Sequence, residues 1–263
     1  MAMTDFDADT AVTRIAAGAY RCEVSERHWV VAGPNGGYLA ALLARAGDAH
    51  VGDRARPLRS LTVHYLRPPA AGPAEVEAVT EQHGRTVTFL RLRMTQGGKT
   101  MLLATGAWAA ARTGIEERRW PMPDAPPPAV CAPMTLGRQL PVHRQWEIRN
   151  VRGAPFSGGD PDMTWWIRPP VHRALDGAML VAIADALPPP VFAVLEAPKQ
   201  IPTLDLTLHV RADLAQVRWE PGDWLLARFV TRLAAGGFLE EDGELWTADG
   251  VLVAASRQLA LAV

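Results

Sequence analysis

The sequence predicts an α+β protein built twice over, each copy an antiparallel sheet wrapped around a long apolar helix. Three observations carry this expectation. Two Gly-led apolar stretches with helical character begin near Asn35-Gly36 and Asp176-Gly177. At about the same distance after each lies a short β-type run, one closing on His64-Tyr65-Leu66-Arg67-Pro68 and the other on Leu208-His209-Val210-Arg211. Further β-type runs, separated by Gly and Pro turns, then follow in both copies.

The elements can be justified in order. Residues 19–28 mix polar and apolar side chains and read as a strand. Gly33-Pro34-Asn35-Gly36-Gly37 reads as a turn, because glycine reaches backbone conformations closed to other residues. Residues 38–49 are rich in Ala and Leu around most of the circumference, and a helix apolar all round is a buried one. Strands at 58–67, 74–82, 86–96 and 100–111, punctuated by Pro68-Pro69, His83-Gly84 and Gly97-Gly98, predict an antiparallel meander. Over 114–140 the periodicity vanishes, and Pro121, Pro123, Pro126, Pro127, Pro128 and Pro133 predict a stiff extended connector. The second copy predicts strands at 142–151 and 163–168, a helix at 175–187, and strands at 203–211, 224–234, 237–247 and 250–262. The expected division is therefore 1–113, a Pro-rich linker at 114–139, and 140–263.

Bulk properties exclude several classes. With 263 residues and 48% hydrophobic content, the chain can bury a substantial core. Its 27 basic and 28 acidic residues are spread along the sequence and leave a net charge of −1, so no basic stripe points to nucleic acid. Cys22 and Cys131 are far apart and form no C-x-x-C spacing, which fits a reducing compartment and argues against disulfides and a structural zinc site. The first thirteen residues lack a signal-peptide pattern and no stretch approaches a membrane span, so a soluble, cytoplasmic protein is expected.

The copies differ in chemistry. Superposing the helices at Gly36 and Gly177 sets Asp185 opposite Ala44. Aligning the last strands at Lys99 and Gly250 sets Gln258 opposite Ala107. One copy has polar groups to work with and the other does not.

Asn35-Gly36-Gly37-Tyr38-Leu39-Ala40-Ala41, Ser60-Leu61-Thr62-Val63-His64-Tyr65-Leu66-Arg67-Pro68 and Gly250-Val251-Leu252-Val253-Ala254-Ala255-Ser256-Arg257-Gln258 together resemble the double hotdog acyl-CoA thioesterases, similar to bacterial acyl-CoA thioesterase II. The likeness spans nearly the whole chain apart from the connector and the first dozen residues. It implies two tandem hotdog repeats and an acyl-CoA substrate, and a homodimer is the expected assembly. It further implies a catalytic set of an Asp on the second helix, a Thr or Ser on the next strand and a Gln near the end of the last strand. On this sequence these are Asp185, Thr203 and Gln258. The chain departs from the family in Leu259, where an acid is often found, and in Pro188-Pro189-Pro190, which cuts the second helix short.

Thioester hydrolysis needs a polarised water and a stabilised oxyanion. Asp185 could take the water's proton, which as general base catalysis is worth ~10²–10⁴-fold. Thr203 and Gln258 could hold that water in line. Gly36 and Gly37 open the first helix, where free N–H groups and the positive end of the dipole suit an oxyanion. The expectation is a composite site: donors from the first copy, water activation from the second.

Each residue also has a plain structural reading. Asp185 could cap a helix end, Thr203 could be an ordinary strand Thr, Gln258 could face solvent, and Asn35-Gly36-Gly37 is a turn on any reading. His64 and His209 read as structural groups at equivalent strand positions. Arg67 and Arg211 could meet CoA phosphates but suit surface pairs. A rival enzyme is a hotdog hydratase or dehydratase; Asp205 with His209 four residues on misses the five-residue spacing expected there. The other rival is a non-catalytic acyl-CoA-binding protein. There is no G-x-S-x-G, H-E-x-x-H or G-x-G-x-x-G, so no serine hydrolase, metal or cofactor is implied.

Overall fold

The computed structural model describes residues 5–134, 140–171 and 173–262, so positions 135–139 of the expected linker lie outside the described residues. The elements run α1 (Asp5–Asp9), β1 (Val12–Ala16), β2 (Ala19–Val24), α2 (Gly36–Val51), β3 (Leu58–Tyr65), β4 (Gly72–His83), β5 (Val87–Gln96) and β6 (Lys99–Ala109). After the connector come β7 (Glu147–Arg152), β8 (Asp162–Arg168), α3 (Gly177–Ile183), β9 (Thr203–Val210), β10 (Leu225–Val230), β11 (Ala234–Ala235), β12 (Phe238–Thr247) and β13 (Leu252–Leu261). The strands form one antiparallel sheet in the order β1-β2-β4-β5-β6-β3-β9-β13-β12-β10-β8-β7, with β11 against β12.

That order reads alike from both ends, and the seam between the halves is the β3–β9 pair. Ser60-Leu61-Thr62-Val63-His64 faces Asp205-Leu206-Thr207-Leu208-His209, with Thr62 opposite Thr207 and their hydroxyls 3.0 Å apart. A pseudo-twofold therefore passes between the two threonines. His64 and His209 occupy matching exposed positions on the seam, as their placement in the sequence suggests.

The two helices share an entry and differ in their exit. Asn35 caps α2 by accepting the Tyr38 N–H at 2.9 Å, and Asp176 caps α3 by accepting the Met179 N–H at 2.8 Å. The Gly36/Gly177 superposition thus coincides with equivalent caps. Helix α2 runs on until Gly52 closes it in the left-handed conformation at φ 65°. Helix α3 stops at Ile183, well short of the expected 187. The cause is Pro188-Pro189-Pro190: these residues have no N–H to bond the carbonyls four positions back, and the residue before a proline resists the α conformation. The chain tightens instead, with Asp185 and Ala186 donating to Ala182 and Ile183, three residues back.

Other expected strands also break. The segment 19–28 ends as a strand at Val24 and turns into a 3₁₀ helix at Glu26–His28, whose N-cap Ser25 accepts the Arg27 N–H. The segment 142–151 starts as a 3₁₀ helix at Pro141–Gln145 before β7, and 224–234 yields only β10 and the first residue of β11.

Both helices lie in the core, where Leu39–Ala44 of α2 and Ala178–Ile183 of α3 are buried. Their outer ends are tied by charge: Asp7 of α1 accepts from Arg45 at 2.8 Å and from Arg173 at 2.9 Å, and both arginines pair with Asp176. The Pro-rich connector lies against the second half of the sheet, with Met122 and Ala125 packed on Trp166 and Trp246. There the Trp166 indole donates to the Pro126 carbonyl at 2.8 Å. No helix among the described residues is long and apolar enough to cross a membrane.

Candidate active site

The abrupt end of α3 creates the site. With prolines following, the Ala184 and Asp185 carbonyls have no helical partner, and buried backbone acceptors need one. Gln258 of β13 donates its Nε2 to the Ala184 carbonyl at 3.3 Å. Asn35, already the cap of α2, donates its Nδ2 to the Asp185 carbonyl at 2.6 Å. The first half and the last strand thus converge on one turn of the second half.

The Asp185 side chain sits inside this clasp. It lies in the turn immediately beyond α3, not on the helix, for the reason just given. Its Oδ2 accepts the Gly37 N–H at 2.9 Å and Asn35 Nδ2 at 3.0 Å, and its Oδ1 accepts Gln258 Nε2 at 3.1 Å. The carboxylate therefore faces the N-terminus of α2, where the helix dipole favours negative charge. Absent side chains at Gly36 and Gly37 permit the approach: a Cβ at Gly37 would stand 2.6 Å from the Ala182 carbonyl oxygen, and one at Gly36 would stand 2.9 Å from Asp185 Oδ2. The ring of Tyr65 closes the side beyond Gly36, its hydroxyl donating to the Gly36 carbonyl at 2.9 Å.

Gln258 joins the remaining groups. Its Oε1 accepts the Thr203 hydroxyl at 3.1 Å, and its Nε2 also reaches Glu241 Oε1 at 2.9 Å. Thr203 gets there because the β13–β9 register shifts between Leu259 and Ala260, which pairs Ala260 with Thr203. Asp185, Thr203, Gln258, Gly36 and Gly37, five residues spread over more than two hundred positions, are brought into one hydrogen-bonded cluster.

Burial dominates the electrostatics. It pushes the Asp185 carboxyl above its usual range, against the N–H donors of Gly37, Gln258, Gly36 and Asn35, which pull it back. Glu241 is raised well above its ordinary value, first by burial and next by the charge of Asp185. Tyr65 is raised as well, by burial and then by Asp185 and Asp205.

Comparison with known proteins gives these groups a context. The acyl-CoA thioesterase N-terminal domain family matches residues 25–109, and the acyl-CoA thioesterase C-terminal domain family matches residues 117–262. The chain belongs to the acyl-CoA thioesterase family. A hotdog-fold protein of unknown function from Alicyclobacillus acidocaldarius is similar over 98% of this chain and 97% of its own, with TM-score 0.93 and 28% identity. A candidate thioesterase II from Thermobifida fusca YX matches over 100% and 99%, with TM-score 0.84 and 30% identity. The thioesterase-like protein TwmA of Talaromyces wortmannii is 32% identical over 105 residues, which is 39% of this chain and 29% of that relative, so the match spans under a third of TwmA.

In this thioesterase-family chain the pseudo-twofold locates the partner of every site residue. Asp185 maps onto Ala44 through the caps, as the sequence alignment has it. Gln258 maps onto Gly106 and not Ala107: Gly106 pairs with Leu61 as Gln258 pairs with Leu206, its twofold mate. Counting from the turns thus misses the ladder partner by one residue. By the same relation Thr203 maps onto Leu58 and Glu241 onto Leu90. Trp108, fully buried, fills the first half's counterpart, its ring against the backbones of Gly47 and Gly106. That half is packed with Leu58, Leu90 and Trp108 where the other carries polar groups.

Three members of the cluster escaped the sequence reading. Asn35 was visible as a helix cap, but its second role depends on a carbonyl 150 residues away. Tyr65 was lost in an ordinary strand pattern. Glu241 could have been found by counting outward through the Asp249-Gly250 turn, which places it close to opposite Gln258 in a hairpin.

Proposed function

We propose that the chain is an acyl-CoA thioesterase of double hotdog architecture, residues 1–113 and 140–263 forming the repeats and 114–139 the connector. It hydrolyses acyl-CoA to a carboxylic acid and CoA by direct attack of water. The observation that carries this is the Asp185 carboxylate, set between the N-terminus of α2 on one side and the Gln258–Thr203 pair on the other.

In the proposed reaction Asp185 removes a proton as the water oxygen bonds to the thioester carbon. The tetrahedral oxyanion then expels the CoA sulfur, which leaves with the proton from Asp185. Gln258 and Thr203 hold the water in line. Gly36 and Gly37 have a role that changes during the step. Their N–H groups first sit on the charged carboxylate, and they become available once that charge moves to the carbonyl oxygen. The positive helix end thus faces both the origin and the destination of the negative charge.

The hydratase reading gains nothing from the site. Asp205 and His209 alternate to the opposite face of β9 from buried Leu206 and Leu208, and it is Leu206 that pairs with Gln258. A cytoplasmic homodimer acting without a cofactor completes the proposal. The test is a panel of short, medium, long, branched and aromatic acyl-CoAs, read with a thiol-reactive dye. Release of CoA from at least one class, abolished in Asp185→Ala, is the expected result; no release across the panel overturns the function.

A further inference from the structure

We propose that Glu241 is a further polar member of the site, a positioning residue that fixes the direction in which the Gln258 amide faces. The proposal rests on the thioesterase reading above for its activity readout. Gln258 and Glu241 are directly opposed on the β12–β13 ladder, and Gln258 Nε2 lies 2.9 Å from Glu241 Oε1, its shortest contact. The amide has two hydrogens and three acceptors around it, the others being Asp185 Oδ1 at 3.1 Å and the Ala184 carbonyl at 3.3 Å. With one hydrogen held by Glu241 and one by Asp185, the amide plane is set and Oε1 is turned to the Thr203 hydroxyl. Without Glu241 the second hydrogen falls to Ala184, and the plane rotates away from the geometry a water would need.

The fold itself does not require a carboxyl here. Glu241 is 6% exposed, and among the described residues no Arg, Lys or His lies within ion-pair distance of it. A buried carboxyl without a cation is costly to keep. Its twofold counterpart is Leu90, 1% exposed, in the half where glycine replaces Gln258. The carboxyl is present only where there is an amide to orient.

Leucine at the counterpart position shows that Glu241→Leu suits the fold, and Glu241→Met gives the same comparison with a more adaptable side chain. Glu241→Gln keeps a carbonyl that accepts from Nε2. Expected are a kcat lower by roughly 10–100-fold in Glu241→Leu with KM within about twofold of wild type, and recovery of most of kcat in Glu241→Gln. The Gln258 side-chain amide protons, assigned by their loss in Gln258→Leu, should exchange slowly in wild type and Glu241→Gln and quickly in Glu241→Leu. Wild-type kcat in Glu241→Leu, or equal impairment in both variants, overturns the proposal. Asp185→Asn separates the two ideas. If it is inactive while Glu241→Leu is unaffected, only the Glu241 role fails. If Asp185→Asn keeps full activity, the mechanism fails and amide exchange alone decides on Glu241, slow exchange in Glu241→Leu counting against it.

Discussion

Gly37 donates its backbone N–H to the Asp185 carboxylate at 2.9 Å, joining residues 148 positions apart. One bond of this kind serves two ends. It seats the Asp185 carboxyl of the second half on the first half's helix, and it pulls against the burial that raises that carboxyl above its usual range.

Asp185→Asn should remove the base and set an NH2 group where one of the two carboxylate oxygens accepts from Gly37 and Asn35 or from Gln258. Turnover of the preferred acyl-CoA is expected to fall by ~10²–10⁴-fold, read as CoA thiol release with folding checked by circular dichroism. Retained turnover would sink the assignment.

Gly36 and Gly37 should respond differently to a methyl group. At Gly37 the new Cβ meets the Ala182 carbonyl oxygen at 2.6 Å and the Asp185 Cβ at 2.9 Å, so backbone must move. Gly37→Ala is expected to cost about 1–3 kcal/mol of stability, as overpacking does, seen as a lowered Tm. At Gly36 the nearest atom is the tip of Asp185 at 2.9 Å, which can shift. Gly36→Ala should therefore lose activity out of proportion to stability. A Gly37→Ala protein melting with wild type would show that the helices do not pack this closely.

The repeat, the buried α2 and the succession of strands along the chain could be read from the sequence because they rest on local pattern: glycine turns, apolar runs and the echo of His64-Tyr65-Leu66-Arg67-Pro68 in Leu208-His209-Val210-Arg211. Asp185, Thr203 and Gln258 were named through resemblance, and their register was not. The early end of α3 followed from three prolines whose meaning is local. Its consequence, two orphaned carbonyls taken up by Asn35 and Gln258, is not, since no spacing rule links position 35 to 185. Glu241 was missed because a lone acid in a strand looks like a solvated face until its cross-strand partner is known.

The site's two acids should make stability fall with rising pH. Both Asp185 and Glu241 hold their protons more tightly in the folded chain than in the unfolded one. Their contribution is thus complete below the unfolded values near about pH 4 and is lost as pH rises through the folded values. Glu241→Gln removes one of them. Calorimetry should find it more stable than wild type near about pH 7.5 and no more stable near about pH 4. A gain of equal size at both would contradict the buried, proton-holding carboxyl.

Trp108 offers a control in the half without the polar cluster. Its indole donates to Asp48 at 2.7 Å, and burial, the largest influence, pushes the Asp48 carboxyl up to about 6 despite that bond. Trp108→Phe removes the donor and leaves the carboxylate unpaired, which should cost about 1–3 kcal/mol where Asp48 is ionised. The loss should shrink as pH falls towards about 6, where Asp48 takes up its proton, while acyl-CoA turnover stays near wild type. A pH-independent loss would assign the effect to ring volume alone.

The seam between Thr62 and Thr207 and the clasp between Asn35 and Asp185 close loops of 145 and 150 residues, whereas most of the ladder within each half is made by neighbouring hairpins. Contacts that distant form only after the segments they join are already ordered, because the entropy of closing the loop is lost before any contact offsets it. The proposed site therefore exists only where the two halves meet, since Asn35 and Gly37 come from one and Asp185 from the other.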